Sequence, residues 1–304
     1  MVRLKIFRYD PGLSIGPYYE EVFVPKTENM RVLDALNLAY ETMKHGSLAH
    51  RWFCGTKKCG ECAISVNGKP VLACWEAVSD DMTCEPLSNF PIIRDLVVDT
   101  ENYERDVIMK LRPWMERRSV PLFPEKVGHE KMRAAHALSK CIECNVCSAA
   151  IPVEGVTPAR VKYAAGVGTA ALVRFTRFLL DPRDETDRRQ LAKAEGMRPF
   201  PKFAVLRGVC PQGINILDQA ILPANRVLFP SEAEGDVEDG GEPAIFIRAS
   251  HWSAFVRLEA RVRSALIEAG VLSRVAIPTL SEAYDLIESF EVGPEKSSGV
   301  AAPL

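Results

Sequence analysis

Eight of the nine cysteines fall into two sets, and their spacing is the clearest chemistry in this chain. Cys54, Cys59, Cys62 and Cys74 follow C-x4-C-x2-C-x11-C. The short gaps let one loop wrap three thiolates around a pair of irons, while the last cysteine arrives from the far side after a hairpin. This is the plant-type [2Fe–2S] spacing. Gly55 and Gly60 suit such a loop, because backbone amides must approach the cluster and bulky side chains would block them. Lys57 and Lys58 stand ready to offset cluster charge or simply to be solvated. A zinc knuckle is the rival, but structural zinc prefers two C-x2-4-C pairs and this pattern is lopsided. Cys84 stands apart in a strand and reads as a small buried hydrophobe.

The second set is Cys141, Cys144 and Cys147, spaced C-x2-C-x2-C, with Cys210-Pro211 following much later. Three thiolates on a tight loop can take three corners of a cubane, and the remote Cys-Pro can supply the fourth, so a [4Fe–4S] cluster is expected. Zinc remains the alternative, since four cysteines also satisfy it. Left unligated, such thiols would be a redox liability.

The rest of the composition narrows the setting. A formal net charge of −2 gives no footprint for nucleic acid or an anionic membrane. The N-terminal MVRLKIFRYD lacks the apolar core of a secretion signal, and an odd cysteine count argues against a disulfide scaffold. The expected location is cytoplasmic, with any contact at the inner face of a membrane made through another subunit. Five scattered histidines (His45, His50, His129, His136 and His251) read as structural or surface groups. No Ser/His/Asp set, nucleotide-binding glycine loop or carboxylate pair stands out, so no substrate site is expected on this chain.

The elements that must position the thiols follow from pattern. Residues 3–8 and 18–24 read as strands, and Val32, Leu33, Leu36, Tyr40 and Met43 share one helix face. Residues 63–66 and 71–72 form a hairpin about Asn67-Gly68, and 82–86 supplies another strand. Helices are expected within 129–140, 158–180, 184–195 and 214–222. The expected class is α+β. A β-grasp [2Fe–2S] domain over 1–102 precedes a helical [4Fe–4S] domain over 103–230, an acidic linker over 231–243 and a small βαβα extension over 244–304.

Several segments then follow one another in a familiar order. They are Arg8-Tyr9-Asp10-Pro11, Val32-Leu33-Asp34-Ala35-Leu36, the Cys54–Cys74 block, Glu85-Pro86-Leu87 and Asp95-Leu96-Val97-Val98-Asp99. Over roughly residues 3–222 the chain resembles the iron–sulfur subunit of the succinate dehydrogenase/fumarate reductase family. That resemblance implies a relay between an FAD-bearing flavoprotein subunit and a further redox subunit or soluble carrier. Members of the family usually carry C-x2-C-x2-C-x3-C-P and then C-x5-C-x3-C-P, dividing their ligands between [4Fe–4S] and [3Fe–4S]. Here the [4Fe–4S] positions are kept as Cys141, Cys144, Cys147 and Cys210, while the [3Fe–4S] positions are Ile151, Phe200 and Leu206. Where the family has a quinone-side tryptophan pair, this chain has Gly155 and Val156, and Pro201 replaces a histidine. The expectation is an atypical member that lacks the [3Fe–4S] centre. Two alternatives stay open: a related flavoprotein complex that acts on another acid with a soluble carrier, and an iron–sulfur sensor or structural module.

Overall fold

The computed structural model describes residues 1–12, 17–43, 47–101, 107–118, 125–151 and 168–232. The expected linker and extension beyond residue 232 lie outside the described residues, as do Gly155 and Val156.

Strand β1 (Val2–Arg8) alternates apolar and charged residues at its start, so Val2, Leu4 and Ile6 turn inward while Arg3 and Lys5 stay partly exposed. It pairs antiparallel with β2 (Tyr18–Val24) and parallel with β5 (Asp81–Glu85). The hairpin of β3 (Ala63–Val66) and β4 (Lys69–Leu72) turns at Asn67 and Gly68, both with positive φ, as a tight two-residue turn requires. The sheet order is β2-β1-β5-β3-β4. Helix α1 (Val32–Thr42) lays Val32, Leu33, Ala35, Leu36 and Ala39 into the same core as Leu4, Ile6, Phe7 and Met82. Cys84 is fully buried there, as its place alone in a strand predicts. Burial pushes its thiol up to about 12.

The structure adds a small hairpin, β6 (Ile92–Arg94) with β7 (Val97–Val98), since strands this short carry no readable period. Its turn holds Asp95, which is buried and left-handed. The Asp95 carboxylate accepts from Arg8 Nε at 3.0 Å, Tyr9 N at 3.0 Å and Ala49 N at 2.8 Å. Arg8, buried too, also reaches Glu20 and the Ser47 carbonyl and hydroxyl. Two motifs distant in sequence thus meet in one ionic knot. Truncating Asp95 to alanine leaves the buried Arg8 with only Glu20 and Ser47 and strands two backbone donors. The expected loss is about 3–5 kcal/mol, read as an earlier urea midpoint by circular dichroism.

The helical half comprises α2 (His129–Leu138), α3 (Val146–Ala149), α4 (Thr169–Leu179), α5 (Arg188–Ala194), a π turn at Leu217–Ile221 and α6 (Leu222–Leu228). Leu138, Leu172, Phe175, Leu206, Ile216 and Leu217 make its centre. The last helix runs past Pro223, where the sequence pattern stops, because Ala224 and Asn225 beyond it are buried. Helix α5 lies within the expected range, and the Asp187 side chain accepts from Gln190 N at 3.0 Å and starts the helix there. The two cores interlock. Leu87, Phe90 and Val98 pack into the helical core, while Val146 of α3 is buried in the sheet core.

Candidate iron–sulfur centres

The first set occupies the loop before β3 and the turn after β4. Gly55, Lys57 and Gly60 all have positive φ, which curls the loop so that its amides face inward. Cys54 Sγ accepts from the backbone N–H groups of Thr56, Lys58 and Cys59 at 3.2–3.3 Å. Cys74 Sγ accepts from Lys57 N at 3.3 Å, and Cys62 Sγ from Cys74 N at 3.5 Å. Donors aimed at sulfur stabilise thiolate, so the Thr56, Lys58 and Cys59 groups lower Cys54 to about 6. Cys62 goes the other way, to about 12, chiefly because it is buried. All the cysteines are free of disulfides.

Around this loop the surface is aromatic and cationic. Phe53 is 80% exposed, and Trp52 and Trp75 are each 52% exposed. The Trp75 ring is approached by Lys57 Nζ at 4.7 Å and the Arg31 guanidinium at 5.5 Å. Lys57 is therefore more than a solvated loop residue, since it packs on the tryptophan that follows a ligand-type cysteine.

The second set surrounds a recess of about 340 Å³, counting its open mouth, which Cys141, Cys144, Cys147 and Cys210 line together with Pro211 and Ile214. Glu143 and Asn145, both left-handed, fold the chain sharply on either side of Cys144. Burial pushes Cys141 up to about 11, Cys144 to about 12 and Cys147 well above its ordinary value, and mutual repulsion among the set raises them further. A bound metal centre would make these sulfurs thiolates outright. Among the described residues no group of three His, Cys, Asp or Glu side chains converges on a point that would hold a single ion.

The two sets abut. A Cβ built on Gly60, whose φ is +82°, would lie 3.0 Å from Cys144 Cα, from Cys144 Cβ and from the Ile142 carbonyl. Gln212, two residues past Cys210, donates through Nε2 to the Lys57 carbonyl at 2.7 Å. Three cysteine-bearing segments are thereby tied together. The close approach at Gly60 and the Gln212 tie have no signature in local sequence pattern.

The three apolar positions take their places in or against the helical core. Leu206 is fully buried, Phe200 nearly so, and Ile151 packs on the same core from its edge. Buried Asn225 accepts from Phe200 N at 3.0 Å and donates to Phe200 O at 2.9 Å. Asn89 donates to the Ser148 and Ile151 carbonyls at 3.0 and 3.1 Å.

Residues 3–105 match the family model described as a 2Fe-2S iron-sulfur cluster binding domain. The fumarate reductase iron-sulfur subunit of Mycobacterium tuberculosis is 32% identical over 224 residues, which is 70% of this chain and 87% of that one. The chain belongs to the iron–sulfur subunit family of succinate dehydrogenases and fumarate reductases. One subunit of the fumarate reductase (CoM/CoB) from Methanothermobacter marburgensis is also 32% identical, across 73% of this chain, which spans only 43% of that protein's length. Among solved structures, the Mycobacterium smegmatis Sdh1 complex in the apo form matches with a TM-score of 0.65 and 25% identity, covering 78% of this chain and 98% of that one. As an iron–sulfur subunit of this family, the chain is an electron-transfer component of an oxidoreductase complex. Among its described residues no helix is long and apolar enough to cross a membrane.

Proposed function

We propose that this subunit relays electrons through two centres, a [2Fe–2S] cluster on Cys54, Cys59, Cys62 and Cys74 and a [4Fe–4S] cluster on Cys141, Cys144, Cys147 and Cys210. The observation that carries the reading is the junction at Gly60, where the two thiol sets come within van der Waals contact of one another's backbone. When bound, the clusters supply reversible one-electron transfer between FAD on a partner flavoprotein and an acceptor or donor. The chain's own residues do the rest. Cys54 receives three N–H donors that stabilise its thiolate, and Gly60 lets the second cysteine loop approach. Trp52, Phe53 and Trp75 offer the flavoprotein an exposed aromatic face beside the first loop, the residue types that anchor interfaces. The C-x2-C-x2-C run with a remote Cys-Pro is the pattern that supports a cubane cluster over zinc at the second set.

In this reading the first cluster belongs to residues 1–102 and the second to 103–230, with no substrate site on the chain. The partner flavoprotein acts on the succinate/fumarate pair or a related acid. Ile151, Phe200 and Leu206 leave no lone pair for iron, so the acceptor is a further redox subunit or soluble carrier in place of quinone. The complex works in the cytoplasm or at the inner face of a membrane. Anaerobic purification from the native host should yield a flavoprotein with the subunit and about six irons per chain. A stable monomer with stoichiometric zinc at the second set would overturn the proposal.

A further inference from the structure

Asn145 does more than its backbone position requires. Its φ of +60° lies in the left-handed region, which asparagine tolerates but glycine meets without strain. The side chain is therefore an addition to what the loop geometry demands. It is 7% exposed, and its Oδ1 is buried with no hydrogen-bond partner. Native folds avoid leaving a buried carboxamide end unpaired. The residue borders two spaces at once: the recess of the second thiol set, and a second, open recess that Cys59, Gly60 and Cys144 also line. Gln212, the other carboxamide bordering the first recess, is already spent on the Lys57 carbonyl.

We infer that the Asn145 carboxamide is a direct contact to the cluster held by Cys141, Cys144, Cys147 and Cys210, with its NH2 end donating to a cluster or cysteine sulfur. A half-turn about χ2 exchanges the two ends of the amide, so the buried unpartnered position can present the donor. The inference rests on the [4Fe–4S] reading of the second set. A donor to sulfur favours the more negative, reduced state and raises the reduction potential. Asn145 is thus a residue that sets how readily the second centre accepts an electron across the Gly60 junction.

The test uses the full-length subunit and Asn145→Gly, which keeps the left-handed backbone and removes only the amide. Potentiometric titration followed by EPR should show the [4Fe–4S] couple of N145G about tenfold harder to reduce, or about 59 mV lower for one electron, with the [2Fe–2S] couple unmoved. Pulsed EPR of reduced wild type carrying 15N-asparagine should show a nitrogen coupling that N145G lacks. An intact [4Fe–4S] centre with the same potential in both proteins and no such coupling overturns the role of Asn145 alone. A wild-type protein with no [4Fe–4S] spectrum overturns the assignment beneath it.

Discussion

Replacing Gly60 by valine should separate the two cysteine loops and destabilise the protein by several kcal/mol. The backbone at φ +82° lies where L-residues are strained, which costs about 1–2 kcal/mol. The new Cβ would lie 3.0 Å from Cys144 Cα, Cys144 Cβ and the Ile142 carbonyl, and two of those atoms are backbone that cannot swing aside. Overpacking of this kind costs about 1–3 kcal/mol more. The strain can be relieved only by moving the loops apart, and the Lys57–Gln212 bond resists that. In reduced protein, the magnetic interaction between the two clusters should weaken while each cluster keeps its own spectrum and iron content. Gly60→Ala should show the same changes at smaller amplitude. A valine variant with unaltered stability and unaltered spin–spin broadening would remove Gly60 from any part in joining the centres.

The second expected result concerns what stands where a third cluster is usually held. Protein oxidised under conditions that protect the [4Fe–4S] cluster should give no [3Fe–4S] EPR signal. Changing Ile151, Phe200 and Leu206 together to cysteine should cost well over the effect of a single core truncation. Leu206 is fully buried and Phe200 is 5% exposed, and large-to-small changes at such positions cost about 2–5 kcal/mol each. The backbone is braced as well. Asn225 holds both polar groups of Phe200, and Asn89 holds the carbonyl of Ile151, so these segments are pinned in positions suited to side-chain packing. The triple variant should therefore unfold at lower urea and bind no extra iron. A strong [3Fe–4S] signal near one spin per chain from wild type, unaffected by conditions that protect the [4Fe–4S] cluster, would mean that other residues serve as its ligands, and a quinone route would be open.

How much of this is legible in the sequence depends on whether the cause is local. Alternation in β1 and β2, the Asn67-Gly68 turn and the apolar face of α1 are local patterns, and each appears where the pattern places it. The two cysteine sets stand out in the sequence too, because most of their members lie close together at regular spacing. What cannot be read is what arises between distant segments. Nothing near Gly60 announces Cys144, nothing near Lys57 announces Gln212, and the Asn225 clamp on Phe200 joins residues with no shared pattern. Local reading also stops short at Pro223, where tertiary burial of Ala224 and Asn225 carries the helix onward, and it misses a hairpin only a few residues long. Asn145 looks like an ordinary spacer between cysteines; only its burial sets it apart.

The interlocked cores also impose a timetable on biosynthesis. The sheet and all four thiols of the first set are complete once β7 has left the ribosome, but the second set lacks a member until Cys210 follows. At about 5–20 residues per second, that interval is on the order of ten seconds. Early in it Leu87, Phe90 and Val98 have no helical core to enter, and the sheet core lacks Val146. The nascent chain thus spends that time with a finished set of thiols on an unfinished surface. Any iron delivered to the first site in that time would meet a domain whose apolar flank is still uncovered.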